Sequence, residues 1–187
     1  RVFYSTKEGI VIWYVLTCQK EKEHGILNIC NTYLPQKAFR KGFVLTYERM
    51  RRYEGEWHLE KNLLFPSHIF LESEDRKVLA EELRKCSVLK EIGNELFAVG
   101  KEKEKLLKTL CDESGNLRMS EGIIHKGVPQ IIKGPLKGLE NRICKIDRHK
   151  RLARIETALN PKEAEGSGDK WNLEYISAGL EIVNKIV

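Results

Sequence analysis

No stretch of this chain stays apolar for long. The longest such run, Ile10 to Leu16, falls far short of the ~20 residues that a membrane-crossing helix needs. No membrane partner is therefore expected. The N-terminal run lacks a following small-residue cleavage site, so no signal peptide is expected either. Cysteine is scarce and scattered, with an odd count of five at Cys18, Cys30, Cys86, Cys111 and Cys144. No two of them form C-x-x-C, which argues against zinc ribbons and redox motifs. Reduced, partly buried thiols of a cytoplasmic protein are the expected state. Catalytic patterns are missing too. The histidines (His24, His58, His68, His125, His149) fall in no ligand spacing such as H-x-x-x-H. There is no G-x-S-x-G, no P-loop and no Rossmann glycine run. Gly134-Pro135-Leu136-Lys137-Gly138 lacks the Gly-Lys-Ser/Thr ending of a phosphate loop. The sequence implies no enzyme, no metal and no cofactor.

What is present is ordinary globular material. The length of 187 residues suits one to two domains. Hydrophobic residues at 41% and charged residues at 32% exclude a disordered chain. The net charge of +6 permits an acidic partner such as nucleic acid without proving one.

Ile10 to Thr17 is β-branched and aromatic and predicts a buried strand. Ile26, Cys30 and Tyr33 recur at helical spacing, so a helix is expected over Gln19 to Tyr33, ended by Pro35. Lys37 to Thr46 and Trp57 to Leu64 read as extended runs. The polar stretch Tyr47 to Glu56 reads as the tip between them. His68 to Ser73 predicts a strand, and Asp75 caps a helix over Arg76 to Lys85 with Leu79, Leu83 and Cys86 as its core stripe. Another helix is expected from Glu102 to Cys111. This order suggests an α+β layer of helices against an antiparallel sheet over residues 10–112. A linker is expected over 113–124.

The C-terminal part, 125–187, reads as short strands at Val128 to Ile132, Arg142 to Ile146, Leu152 to Leu159 and Ile176 to Ile182. Asn160 to Asn172 reads as a surface loop. Several short strands with little room for helix suggest a small all-β barrel. Arg151 to Ala164 is also rich in helix formers, but alternation favours strand in its first half.

Two basic clusters stand out. Lys126, Lys133, Lys137, Arg142, Lys145, Arg148, Lys150, Arg151 and Arg154 face only Glu140 and Asp147 as acids in the same stretch. Arg148-His149-Lys150-Arg151 should form the turn joining two strands, where cations can meet phosphates without desolvating a core. A solvated charged hairpin is the plainer alternative. The second cluster is Lys37, Arg40, Lys41, Arg49, Arg51, Arg52 and Lys61, interleaved with Phe39, Phe43, Tyr47, Tyr53 and Trp57. Rings that stack and cations that pair with phosphates suit nucleic acid. Aromatics packing down onto a sheet explain the pattern equally well. The apolar set Trp13, Tyr14, Leu63, Leu64, Phe65, Ile69 and Phe70 is either plain core or a docking surface.

The motifs W-Y-V-L (Trp13 to Leu16), Y-L-P (Tyr33 to Pro35) and L-L-F-P-S-H-I-F-L-E-S (Leu63 to Ser73) resemble the N-terminal domain of the NusG family of transcription elongation factors. The stretch with G-P-L-K-G-L-E and K-I-D-R-H-K-R-L-A, carried mostly by Ile131 through Ala153, resembles a KOW domain, a small SH3-like barrel. Gly179 to Val183 resembles the last strand of that barrel. The likeness covers about Ile10 to Val187, and K-I-D-R-H-K-R-L is most similar to the LoaP branch of specialised antiterminators. The resemblance implies a cytoplasmic, bacterial, monomeric factor without enzymatic activity that promotes readthrough of terminators. Its NGN-like domain would bind RNA polymerase through Trp13, Tyr14, Phe65, Pro66, His68 and Phe70. Arg49, Arg51 and Arg52 would lie towards upstream DNA. The KOW domain would bind a nascent RNA hairpin through Lys137, Lys145, Arg148, His149, Lys150, Arg151 and Arg154. Two other readings stay open: a general elongation factor whose KOW domain contacts proteins, and a ribosomal-type KOW RNA-binding protein. The glycine usual before the family's second N-domain helix region is Ser67 here.

Overall fold

β-Branched and aromatic residues crowd Ile12–Thr17, and this strand, β1, is buried from Trp13 to Leu16 on both faces. The computed structural model describes residues 9–90, 96–158 and 174–186. After β1 come α1 (Glu23–Tyr33), β2 (Lys41–Phe43), β3 (Thr46–Tyr53), β4 (Glu56–Leu63) and β5 (His68–Ser73). Next are α2 (Arg76–Lys85), α3 (Ser87–Lys90), β6 (Leu96–Ala98), α4 (Lys101–Leu110), β7 (Asn116–Leu117) and β8 (Ser120–His125). The chain continues with β9 (Val128–Lys133), a 3-10 turn (Glu140–Arg142), β10 (Ile143–Asp147), β11 (Leu152–Glu156) and β12 (Tyr175–Ile186). The protein is α+β, with four α-helices and three antiparallel or mixed sheets among the described residues. Among them, no helix is long and apolar enough to cross a membrane.

The described residues of Arg1–Phe43 and Ser67–Val99 form one compact unit. Its sheet has the order β2-β5-β1-β6, antiparallel throughout. α1 buries Ile26 and Cys30, and α2 buries Leu79 and Leu83. Asp75 caps α2, its Oδ1 accepting from the N–H of Lys77 at 2.8 Å and of Val78 at 3.2 Å. The rings of Trp13 and Phe43 meet edge-on at 4.8 Å, and Phe43 stacks on Phe70 at 5.5 Å. The Trp13 indole N–H donates to Glu72 Oε1 at 3.1 Å, which satisfies its one polar atom. Ser67 occupies left-handed backbone, with φ of +67°. Its N–H donates to Glu23 Oε1 at 2.6 Å, and its carbonyl accepts from the Cys18 N–H at 2.8 Å. Burial would raise the Glu23 pKa, but backbone N–H donors, Ser67 among them, outweigh it and hold the carboxyl below its ordinary value.

Val44–Pro66 and the described residues of Gly100–Val187 form the other unit. It holds a three-stranded sheet, β4-β3-β7, and a five-stranded one, β10-β11-β12-β8-β9. α4 buries Leu106, Leu107 and Leu110. β12 runs antiparallel to β11 and parallel to β8. Its Ile176, Ala178 and Leu180 join Ala153, Ile155, Ile131 and Leu136 in the buried core. β3 meets β12 closely at Gly179, where a Cβ would lie 2.4 Å from the Glu48 carbonyl oxygen and 2.0 Å from Met119 Sδ. The Glu48 carboxylate accepts from the Met119 N–H at 2.9 Å and from Asn116 Nδ2 at 3.2 Å. These bonds fasten the β3–β4 hairpin within this unit.

Several expectations need revision. The first helix starts at Glu23, four residues after Gln19. Tyr47 to Tyr53 is not a tip but strand. Its polar residues pair with β4 in register, and the turn shrinks to Glu54-Gly55, both at positive φ as a two-residue hairpin turn requires. The stretch 113–124, expected to be a linker, carries β7 and most of β8. The five C-terminal strands form one sheet, and among the described residues no pairing closes it into a barrel. The Asn160 to Asn172 loop lies outside the described residues, as does the far end of the helix-capable segment.

Candidate nucleic-acid interface

β10 and β11 are joined by the turn Arg148 to Arg151, as the residues suggested. Asp147 initiates it, its Oδ1 accepting from the Lys150 N–H at 2.9 Å. The register sets Lys145 directly opposite Arg154, and both are exposed. Directly opposed cations repel one another across an antiparallel pair. A strand pair built for stability alone would alternate sign there. Arg154 also lies over the Tyr175 ring, 5.5 Å from its centroid. Arg148, His149 and Lys150 project from the turn and are exposed. Lys150 has Asp147 at 4.0 Å, while Arg148 and Lys145 have no ion-pair partner among the described residues. The basic face is therefore open to an incoming polyanion.

Arg151 is different. Its side chain is only 23% exposed. Its guanidinium lies 3.9 Å from the Trp57 ring centroid, and Nη1 is 3.0 Å from Glu181 Oε1. Trp57 sits opposite Arg52 in the β3–β4 register, so both side chains leave the same face of the hairpin. A cleft of about 500 Å³ results, walled by Arg52, Trp57, Arg148, His149, Arg151 and Glu181 with Ile182 beside them. Three arginines and an indole surround it. Cations and a ring so placed can pair with phosphates and stack a base, and the Glu181 carboxylate lies among them.

Not every residue singled out from the sequence comes to this place. Lys137 belongs to a separate loop, whose Leu136 is buried and whose Gly134 would set a Cβ 2.7 Å from Ser120 Cα. Arg142 is partly used inside the fold, its Nη1 donating to the carbonyls of Glu156 and Thr157 at 3.3 Å each. Arg49, Arg51 and Arg52, grouped as DNA-proximal, are divided by the strand alternation. Arg52 lines the cleft, while Arg49 and Arg51 point to the opposite face, where Arg51 pairs with Glu60 at 4.0 Å. Of the polymerase-binding candidates, Trp13, Tyr14, Phe65 and Phe70 are buried, His68 is half-buried and Pro66 is exposed. The four buried side chains are core and present no docking surface. Burial raises the Tyr14 pKa, outweighing the Arg76 charge that lowers it. Of the cleft residues, Glu181 is not singled out by the sequence, and Trp57 stands there only among the aromatics of the second basic cluster. The aromatic interleaving around Arg52 was the available signal for Trp57, and nothing local marked Glu181. Among the described residues no three His, Cys, Asp or Glu side chains gather as a metal site.

No protein-family model matches this chain, and no curated protein matches it.

Proposed function

We propose that this chain is a NusG-type transcription elongation factor of the specialised, antiterminating kind. In this reading it binds RNA polymerase through an NGN-like N-terminal part and holds a hairpin of the nascent RNA on its basic C-terminal face. Readthrough of terminators follows from keeping the factor on the elongating complex. The five-stranded sheet is then the KOW domain, completed as an SH3-like barrel. The observation that carries the reading is the Lys145–Arg154 pairing of like charges beside the Arg148 to Arg151 turn. That arrangement costs stability in the free protein and is relieved by phosphates. Of the residues named for the polymerase contact, the accessible ones, Pro66 and His68, are the ones proposed to make it. The factor needs no cofactor and acts as a cytoplasmic monomer.

A second reading has its own support. Val128 and Ile186 are large, apolar and exposed, and both pair with His125 on one face of the sheet. Such a strip suits a protein partner, as in a general elongation factor. Single-round transcription through an intrinsic terminator separates the two. One template carries a leader hairpin and the other lacks it. RNA-recruited antitermination gives readthrough only with the hairpin, and readthrough disappears when Arg148, Lys150 and Arg151 are all replaced by Ala. The RNA affinity of that triple variant should also show a shallower salt dependence, by roughly 0.7–0.9 in log–log slope for each phosphate no longer neutralised. Equal readthrough on both templates, or an unchanged RNA affinity in the triple variant, overturns the RNA-recruited reading.

A further inference from the structure

Arg151 is held more firmly than binding a phosphate requires. Its backbone is left-handed, with φ of +50°, at a turn position where glycine or asparagine is the unstrained choice. Its carbonyl accepts from the Leu180 N–H at 2.9 Å, tying the turn to β12. Its side chain is gripped on two sides, by the Trp57 ring at 3.9 Å and by Glu181 at 3.0 Å. Strained backbone kept in place by surrounding structure is a mark of functional positions.

The grip also changes what the guanidinium is good for. A carboxylate beside it cancels much of its charge and repels an approaching phosphate. What remains is a planar fork of N–H donors in a fixed orientation. Among the described residues, its N–H groups other than those turned to Glu181 have no protein acceptor. A fixed fork binds a ligand with two acceptors in one plane at little entropic cost. In RNA that ligand is the O6 and N7 edge of guanine. The unpinned Arg148 beside it and Arg52 on the hairpin are free to take the neighbouring phosphates.

We propose that this cleft reads a guanine. Arg151, immobilised between Trp57 and Glu181, donates to guanine O6 and N7, while Arg52 and Arg148 hold the flanking phosphates. The base must be unstacked, in a loop or bulge, because the deep, narrow major groove of an A-form stem keeps side chains from base edges. The inference rests on the RNA-binding reading above and names the specificity residue of that same site.

The test uses the full chain and a library of RNA hairpins with one fixed stem and a fully randomised eight-nucleotide loop. Bound RNAs are recovered by filter retention and sequenced. Wild type should enrich guanine over adenine by about tenfold at one loop position, the scale of a bidentate base contact. Placing 7-deazaguanine there should lower affinity as adenine does. Arg151→Lys should abolish the preference while leaving the salt dependence nearly unchanged. Arg148→Ala should do the reverse, keeping the preference and reducing the salt slope by about one. Arg151→Gly relieves the left-handed backbone and gives up the Trp57 and Glu181 contacts, so it should melt close to wild type and still lose the preference. A wild type that binds RNA without favouring guanine overturns the proposal, as does a guanine preference that survives in Arg151→Lys. A wild type that retains no member of the library overturns the RNA-binding reading itself.

Discussion

Gly179→Ala is the smallest change that tests whether the β3–β4 hairpin is seated on β12. The added Cβ would lie 2.0 Å from Met119 Sδ, 2.4 Å from the Glu48 carbonyl oxygen and 3.3 Å from the Glu48 carbonyl carbon. Met119 can rotate away, since a thioether side chain adapts readily. The Glu48 carbonyl belongs to a paired strand and can retreat only if β3 moves with it, by roughly 1 Å, at an overpacking cost of about 1–3 kcal/mol. That movement also strains the bonds from the Met119 N–H and Asn116 Nδ2 to the Glu48 carboxylate, at 2.9 and 3.2 Å. Hydrogen bonds to a charged group contribute about 1.5–3 kcal/mol each, and weakening one of them brings the expected total to ~2–4 kcal/mol. With a urea slope of about 2 kcal/mol per molar, the unfolding midpoint should fall by roughly 1–2 M. Urea titration followed by circular dichroism measures this directly. RNA affinity should fall as well, because Arg52 and Trp57 reach the cleft only through the seated hairpin. Gly25→Ala is the matched control: no heavy atom lies within 4 Å of its added Cβ. In its helix the change should stabilise by up to ~1 kcal/mol. A loss below about 0.5 kcal/mol for Gly179→Ala, with RNA affinity intact, would refute the argued seating of β3 on β12.

The other outcomes concern single residues. Ser67→Gly should raise stability by about 0.5–1 kcal/mol in chemical denaturation, because glycine takes the φ of +67° without strain and keeps both backbone bonds. Ser67→Val should lower it. Asp112 accepts from Ser114 Oγ at 2.6 Å, from the N–H groups of Ser114 and Asn116, and from Arg118 Nε at 3.0 Å. These donors, Ser114 Oγ foremost, hold its carboxyl far below the usual range. Its folded pKa is thus lower than its unfolded one. The resulting stability is complete above the unfolded value near ~4 and is lost as pH falls through the depressed folded value. Asp112→Asn should therefore flatten the acid limb of a stability–pH curve, and an unchanged limb would contradict this account. Burial pushes the Cys30 and Cys111 thiols up to about 12. At pH 8 a disulfide reagent should label exposed Cys144 first, half-buried Cys111 more slowly, and buried Cys30 only on unfolding.

Elements that rest on local signals were legible in the sequence. His68–Ser73 is strand as its β-branched and aromatic residues indicate, and Asp75 caps α2 with the bonds its side chain promised. The β10–β11 turn was legible because Arg148 to Arg151 is a polar break between alternating apolar runs. β3 was obscured because Glu48, Arg49, Arg51 and Arg52 supply polar side chains to both faces, and only pairing with β4 and β7 makes the segment a strand. Trp13, Tyr14, Phe65 and Phe70 carry the same apolar signal whether they form core or a docking face, and burial alone decides between them. The junction of Trp57 with Arg151 could not be read, because nothing local links positions so far apart in the chain. Glu181 follows buried Leu180 in β12 as any outward strand residue would.

The dual pairing of β12 also decides the order in which its unit can assemble. The hairpins β8–β9 and β10–β11 each close over a short turn, at a small entropic cost. β12 must be threaded between them, matching Leu180 to Ser120 on one side and Ala178 to Ala153 on the other. Such distant partners meet slowly. Until they do, both hairpins expose one unpaired edge and an uncovered apolar face. These are the surfaces through which chains pair wrongly with one another. How much active protein a cell recovers therefore depends on how briefly that vacancy persists, and substitutions that slow the arrival of β12 should lower yield even where they leave the finished fold as stable as before.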